Sequence, residues 1–216
     1  MASAIIHICI AHEANKILKI NEKEFLLGSI SPDIAKQVGL NKKKSHFIEG
    51  NRYYNSNPSL DLFLAKYKNT LNNPFNLGYY CHLFVDYLWY GSYYLRYAIE
   101  QKLYYLDGHS KCLSSEELQN EIYKEYERLN LKIINKYDLD LSLFYEEPPI
   151  IESNIEEIPI DKLNIIIEKM GIIIENSKID TNTIFDEESI YEFIDLASKL
   201  FIKHLKEIRI IWHILK

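Results

Sequence analysis

His82 and Asp86 stand four residues apart in the stretch Asn76-Leu-Gly-Tyr-Tyr-Cys-His-Leu-Phe-Val-Asp-Tyr-Leu-Trp89. If that stretch is helical, both side chains leave one face on adjacent turns. A neutral imidazole and a carboxylate so placed can grip one divalent cation from two directions. Their neighbours are aromatic and aliphatic, so both polar groups sit in apolar surroundings. Burying either without a partner costs roughly 2–7 kcal/mol on transfer scales, so each needs one. A hydrogen-bonded core histidine beside a capping aspartate meets the same need, and HxxxD on a helix is not specific by itself.

Three residues upstream extend the set. Ala4–Leu18 reads as a helix in which His7 shares a stripe with Ala11, Ala14 and Leu18. His12 points about 140° away from His7, which makes it a surface residue. Ser29-Ile-Ser-Pro-Asp33 reads as a turn or helix start with Pro32 near the first helical position, where an aspartate serves as a cap or as a ligand. Ser45-His-Phe-Ile-Glu49 follows the basic run Asn41–Lys44, read as a solvated loop, and puts His46 where the chain turns inward.

The elements that must position these residues are helices. Asn57-Pro58 opens one, with Asn57 as N-cap, that runs to about Leu71, and Asn73-Pro74 starts the long aromatic helix around His82. Gly91 kinks or ends that helix before Tyr93–Tyr105 continue it. Asp107-Gly108 is a turn, and Ser114-x-x-Glu117 is a capping box for a helix to about Tyr137. Tyr145–Pro159 is an acidic, proline-containing connector. Asp161–Asn176 and Glu187–Leu215 carry apolar residues three and four apart, as amphipathic helices do. Alternating strands are scarce, so the fold class is all-α, a compact bundle of six to eight helices in one domain over residues 1–216.

The 216 residues suffice for one substantial core, and 47 % hydrophobic with 26 % charged residues is ordinary for a soluble protein. A net charge of −6 argues against a long nucleic acid as partner. Three cysteines, Cys9, Cys81 and Cys112, without CxxC spacing, point to free thiols and a cytoplasmic protein. No basic segment precedes the short apolar run Ala4–Ala11, and no stretch is long and apolar enough for a bilayer.

The order His7, Asp33, His46, His82-x-x-x-Asp86 resembles the zinc-dependent phospholipase C and single-strand-specific nuclease superfamily. The local strings His7-Ile-Cys-Ile-Ala11, Ser29–Asp33, Ser45–Glu49 and Leu77–Asp86 are similar to that family's ligand-bearing segments, over roughly residues 5 to 90. The resemblance implies an all-helical fold that hydrolyses phosphodiesters with up to three zinc ions. It implies that Asp33, His46, His82 and Asp86 hold the first ion and that Asp86 bridges to another shared with His7. Two imidazoles and two carboxylates also suit iron or manganese better than calcium.

The family's further ligands follow the HxxxD. No histidine lies in Tyr87–Ser92, so His109, His204 and Glu207 are the candidates for additional metal. The expected function is a metal-dependent phosphoesterase acting on a phosphate-ester small molecule or lipid headgroup through a metal-activated water. Asp33 is its catalytic residue, and Arg52, Lys44, Tyr79 and Trp89 contact substrate. The alternative is a metal-binding helical scaffold or small-molecule binding module without turnover.

Overall fold

A computed structural model describes residues 2–49 and 57–210. The architecture is all-α, as the sequence predicts, with one small sheet added. Helix α1 (Ala4–Leu18) starts at Ser3, whose hydroxyl accepts the Ile6 N–H, and stops at Lys19 in a left-handed conformation. It is wrapped by α2 (Glu22–Ile30), the long α6 (Pro74–Leu88), α7 (Ser115–Tyr137) and α9 (Glu187–Glu207). Being covered on most sides, α1 buries nearly every residue from Ile5 to Ala11, and hence has only weak amphipathic contrast.

After α2 a 3-10 turn, Ser31–Asp33, leads into the short α3 (Ile34–Gln37) and then α4 (Lys42–Ser45), where a solvated loop was expected. Asn41 accepts the Lys43 N–H and caps α4. Helix α5 (Leu60–Tyr67) is capped by Ser59, not Asn57, and closes in a 3-10 turn at Lys68–Thr70. Asn73 caps α6 with Pro74 in the first turn, and the Ser114–Glu117 capping box opens α7, both as the sequence indicates.

The segment read as helix over Tyr93–Tyr105 folds otherwise. Residues Trp89–Tyr93 widen into a π turn and Tyr94–Arg96 into a 3-10 turn. The antiparallel strands β1 (Ala98–Ile99), β2 (Lys102–Tyr104) and β3 (Ser110–Cys112) follow. Ala98 pairs with Leu103 and Lys102 with Cys112. Two left-handed residues, Glu100 and Gly108, make the reversals, and aromatic residues fit a pleated strand as readily as a helix.

Residues 145–159 form an irregular strap across α5 and α6 rather than a loose connector. Glu157 is buried where Tyr67 and Lys66 donate to it at 2.6 and 2.7 Å, and Asn73 and Asn76 bind Glu152, Ser153 and Asn154. Helix α8 (Leu163–Asn176) then packs over α3 and the turn carrying Asp33. Helix α9 stops at Glu207, and the remainder of the expected Glu187–Leu215 helix past residue 210 falls outside the described residues. No helix among the described residues is long and apolar enough to cross a membrane.

One crossing sets the geometry of the centre. Where α2 meets α6, a Cβ on Gly28 would lie 2.1 Å from the Phe75 carbonyl oxygen, and one on Gly78 2.1 Å from that of Phe25. Glycine at both positions lets the two backbones touch, one turn before His82.

Candidate metal centre

Five side chains converge in the core beside that crossing. His7 comes from α1, Asp33 from the 3-10 turn, His46 from the end of α4, and His82 and Asp86 from successive turns of α6. His7, His46, His82 and Asp86 are all buried, and Asp33 retains 14 % of its side-chain surface. The Asp86 carboxylate sits between the imidazoles. Its Oδ1 is 3.4 Å from His7 Nε2, and its Oδ2 is 3.7 Å from His82 Nε2 and 3.9 Å from His46 Nε2. Asp33 Oδ1 is 3.4 Å from His46 Nε2, and the Nε2 atoms of His46 and His82 are 3.2 Å apart. The rings of His7 and His82 stack with centroids 3.8 Å apart.

The outer hydrogen bonds aim this set. His82 Nδ1 donates to the Ser29 carbonyl oxygen at 2.8 Å, so its Nε2 lone pair faces the cluster. His46 Nδ1 lies 3.1 Å from the Lys42 carbonyl oxygen and 2.9 Å from the Ser45 hydroxyl, which turns its Nε2 the same way. Tyr79 fixes that segment by donating its phenol to the Ser45 carbonyl oxygen. The Ala2 N–H donates to Asp86 Oδ1 at 3.2 Å. Asp33 makes no capping bond, so the alternative role its position suggested is not taken up.

Burial lowers the pKa of His82 and of His46, which keeps both imidazoles neutral with free lone pairs. Burial alone would raise both carboxyls. At Asp33 the proximity of His46 and His82 outweighs it, and at Asp86 the proximity of His7 and His82 does so. Both acids are held below the usual carboxylate range.

What the cluster lacks is as informative. Both ring nitrogens of His7 and Asp33 Oδ1 are buried without a hydrogen-bond partner. Such groups cost about 1–3 kcal/mol each when left unpaired. Two overlapping sets, His7–His82–Asp86 and Asp33–His46–His82, have donor atoms mutually within 4.8 Å and could each hold a metal ion. Nitrogen and carboxylate oxygen donors in a buried pocket fit zinc. Both sets need His82, whose Nδ1 is engaged by Ser29, so only its Nε2 remains and one imidazole nitrogen serves one ion.

A model of the family described as zinc dependent phospholipase C matches residues 6–147. The chain belongs to that zinc-dependent phospholipase C family. No curated protein and no solved structure matches it. The matched segment contains all five converging residues, and the family's zinc dependence agrees with a buried cluster of this donor chemistry. It ends before α8 and α9, so His204 and Glu207 lie outside what the chain shares with the family model.

The other expected site residues are elsewhere. His109 is exposed beside β3, bonded to Asp107 and stacked on Tyr105. His204 bonds the Tyr80 phenol at 2.6 Å and stacks on Phe84, and Glu207 is exposed near Lys203. None of the three is in a metal-capable group among the described residues. Trp89 is fully buried among Tyr93, Phe185 and Phe193. Tyr79 is buried as well and supports His46 from behind. Lys44 is exposed on α4, and Arg52 lies outside the described residues. His12 pairs with Glu22 at 2.7 Å, away from the cluster. Sequence reasoning missed the Ser29 carbonyl and the Ala2 N–H. Both are backbone groups, which no residue type announces.

Proposed function

We propose that the chain is a metal-dependent, zinc-using phosphoesterase, a single hydrolase-like domain that cleaves a phosphodiester such as a lipid headgroup or a nucleotide. The observation that carries this reading is the partnerless set of His7 nitrogens and Asp33 Oδ1 within a cluster already aimed inward by outer hydrogen bonds. Asp33, His46, His82 and Asp86 would hold one ion. Asp86, with Oδ1 toward His7 and Oδ2 toward His46 and His82, would be shared with a second ion at His7. Zinc bound there would supply Lewis acidity, lowering the pKa of water towards about 7 and polarising a phosphoryl oxygen.

The chain's own residues do the rest. Asp33 is the least buried member of the five and lines a cleft open to solvent. Its carboxylate, ionised at neutral pH, can orient an attacking water and accept its proton at an Oδ atom. His46 and His82 stay neutral and fixed in tautomer. The apolar surroundings of α6 exclude bulk water, which strengthens each of these interactions. Three cysteines that stand free support a reducing compartment, the cytoplasm.

The test is hydrolysis of bis-p-nitrophenyl phosphate by protein purified without a His-tag, with chelator and with added zinc, beside its metal content. We expect zinc-dependent release of p-nitrophenolate that His82→Ala abolishes and His12→Ala leaves intact. Bound zinc with no turnover would favour the scaffold reading. Absence of bound metal in the wild type would end both.

A further inference from the structure

The Asp33 carboxylate opens into a cleft of about 380 Å³ between α3, α7 and α8. Two lysines line it. Lys36 stands three residues beyond Asp33, on the same side of a helical turn. It donates to the Tyr123 phenol at 3.0 Å and lies over that ring. Lys169 projects from α8 on one stripe with Ile166 and Ile173, which also line the cleft. It is half-buried, and no ion pair engages it among the described residues. The cleft's charged lining is Lys36 and Lys169 with two carboxylates, Glu127 and Asp33, of which Asp33 also faces the histidine cluster.

This arrangement suits a particular substrate charge. A half-buried ammonium without a counter-ion is costly to hold and is relieved by an anion. A cationic headgroup would meet repulsion from the same two lysines. The stripe Ile166–Ile173 gives the non-phosphate part of the molecule an apolar surface to lie on.

We propose that Lys36 and Lys169 are specificity-determining residues that bind a second anionic group of the substrate, so that the preferred phosphodiester carries an additional phosphate. This rests on the phosphoesterase reading for its meaning, but its test does not need turnover. Binding of two ligand pairs is measured calorimetrically, in zinc and again in chelator. One pair is inositol 1-phosphate and inositol 1,4-bisphosphate, for a lipid headgroup. The other is thymidine 5′-phosphate and thymidine 3′,5′-bisphosphate, for a nucleotide.

The expected result is that the extra phosphate tightens binding about tenfold in at least one pair, equivalent to about 1.4 kcal/mol. The pair showing it identifies the source. In Lys36→Met/Lys169→Met that increment disappears, and Lys36→Arg/Lys169→Arg restores it. An increment below twofold in both pairs, or one that survives in the methionine variant, overturns the proposal. Turnover of bis-p-nitrophenyl phosphate is scored separately. Its loss with the lysine-dependent increment intact defeats the phosphoesterase reading and not the cleft, and the reverse outcome defeats the cleft alone.

Discussion

Gly78→Ala should loosen the proposed metal centre without touching any of its candidate ligands. The new Cβ would stand 2.1 Å from the Phe25 carbonyl oxygen and 2.9 Å from both Gly28 Cα and Ser29 N, all of them backbone atoms that cannot rotate away. Ordinary contact begins near 3.4 Å, so α6 must withdraw from α2 by about 1.3 Å. The bond from His82 Nδ1 to the Ser29 carbonyl, now 2.8 Å, spans the same crossing and would be stretched beyond hydrogen-bonding range. Overpacking costs about 1–3 kcal/mol. Losing the bond and leaving a buried donor adds about 1–2 kcal/mol.

The total, about 2–5 kcal/mol, corresponds to a melting temperature about 4–20 °C lower for a chain of this size. Freed from Ser29, His82 should also bind zinc about 10–100-fold more weakly, as second-shell losses do. The control is Gly171→Ala. A Cβ there meets nothing within 4 Å, so it should stabilise α8 by about 0.5–1 kcal/mol. Thermal melts and a competitive zinc titration read both variants. A Gly78→Ala protein that melts within a degree of wild type and keeps its zinc affinity would refute the role given to this crossing.

Asp86→Asn should cost about 1 kcal/mol in chelator, where it only weakens the bond from the Ala2 N–H. At zinc about a hundredfold above the wild-type dissociation constant it should cost about 2.7 kcal/mol more, the stabilisation that binding supplies; equal losses in paired melts with and without zinc would remove its bridging role. His7→Ala should lower zinc content while His12→Ala does not, because only His7 lies against Asp86; elemental analysis of both variants checks this. Glu125 accepts the N–H groups of Thr183, Ile184 and Phe185 at 2.8–3.1 Å. Burial raises its pKa, but these bonds and the Asn182 amide outweigh that and hold it below its usual value. Its stabilisation is therefore present above the unfolded value, near 4.3, and is lost as pH falls through the lower folded value. Glu125→Gln should cost about 2 kcal/mol at pH 7 and flatten the acid limb of urea-denaturation stability below about pH 4.5.

The five converging residues were legible in the sequence because their chemistry is in their side chains and their spacing is helical. The faces of His7 and His12 followed from the 100° step of α1 alone. The aromatic residues were not legible in the same way. Tyr79 and Trp89 sit on the same helical run as His82, and a buried aromatic reads identically whether it faces a ligand or a core. The structure turns Tyr79 toward the Ser45 carbonyl and Trp89 into the cluster of Phe185 and Phe193. The tyrosine run from Tyr93 to Tyr105 has no helical stop signal after Gly91, and its strands, of two and three residues, are too short to show alternation. Lys169 was invisible as a cleft residue because its partners on α3 lie more than a hundred positions away.

The position of Gly28 and Gly78 explains why HxxxD means more in this chain than the pattern alone. On α6, Gly78, His82 and Asp86 recur every four residues, so one face presents a close approach, an oriented imidazole and a shared carboxylate on three successive turns. On α2, Gly28 provides the matching contact and Ser29, the next residue, offers the carbonyl that His82 needs. A capping aspartate or a core histidine would require none of this register. Here the outer nitrogens of His46 and His82 are bonded, while both His7 nitrogens and Asp33 Oδ1 are left without partners. The unpaired His7 nitrogens and Asp33 Oδ1 lie where a cation would neutralise two carboxylates. That asymmetry supports the proposed ligand cluster over a polar core.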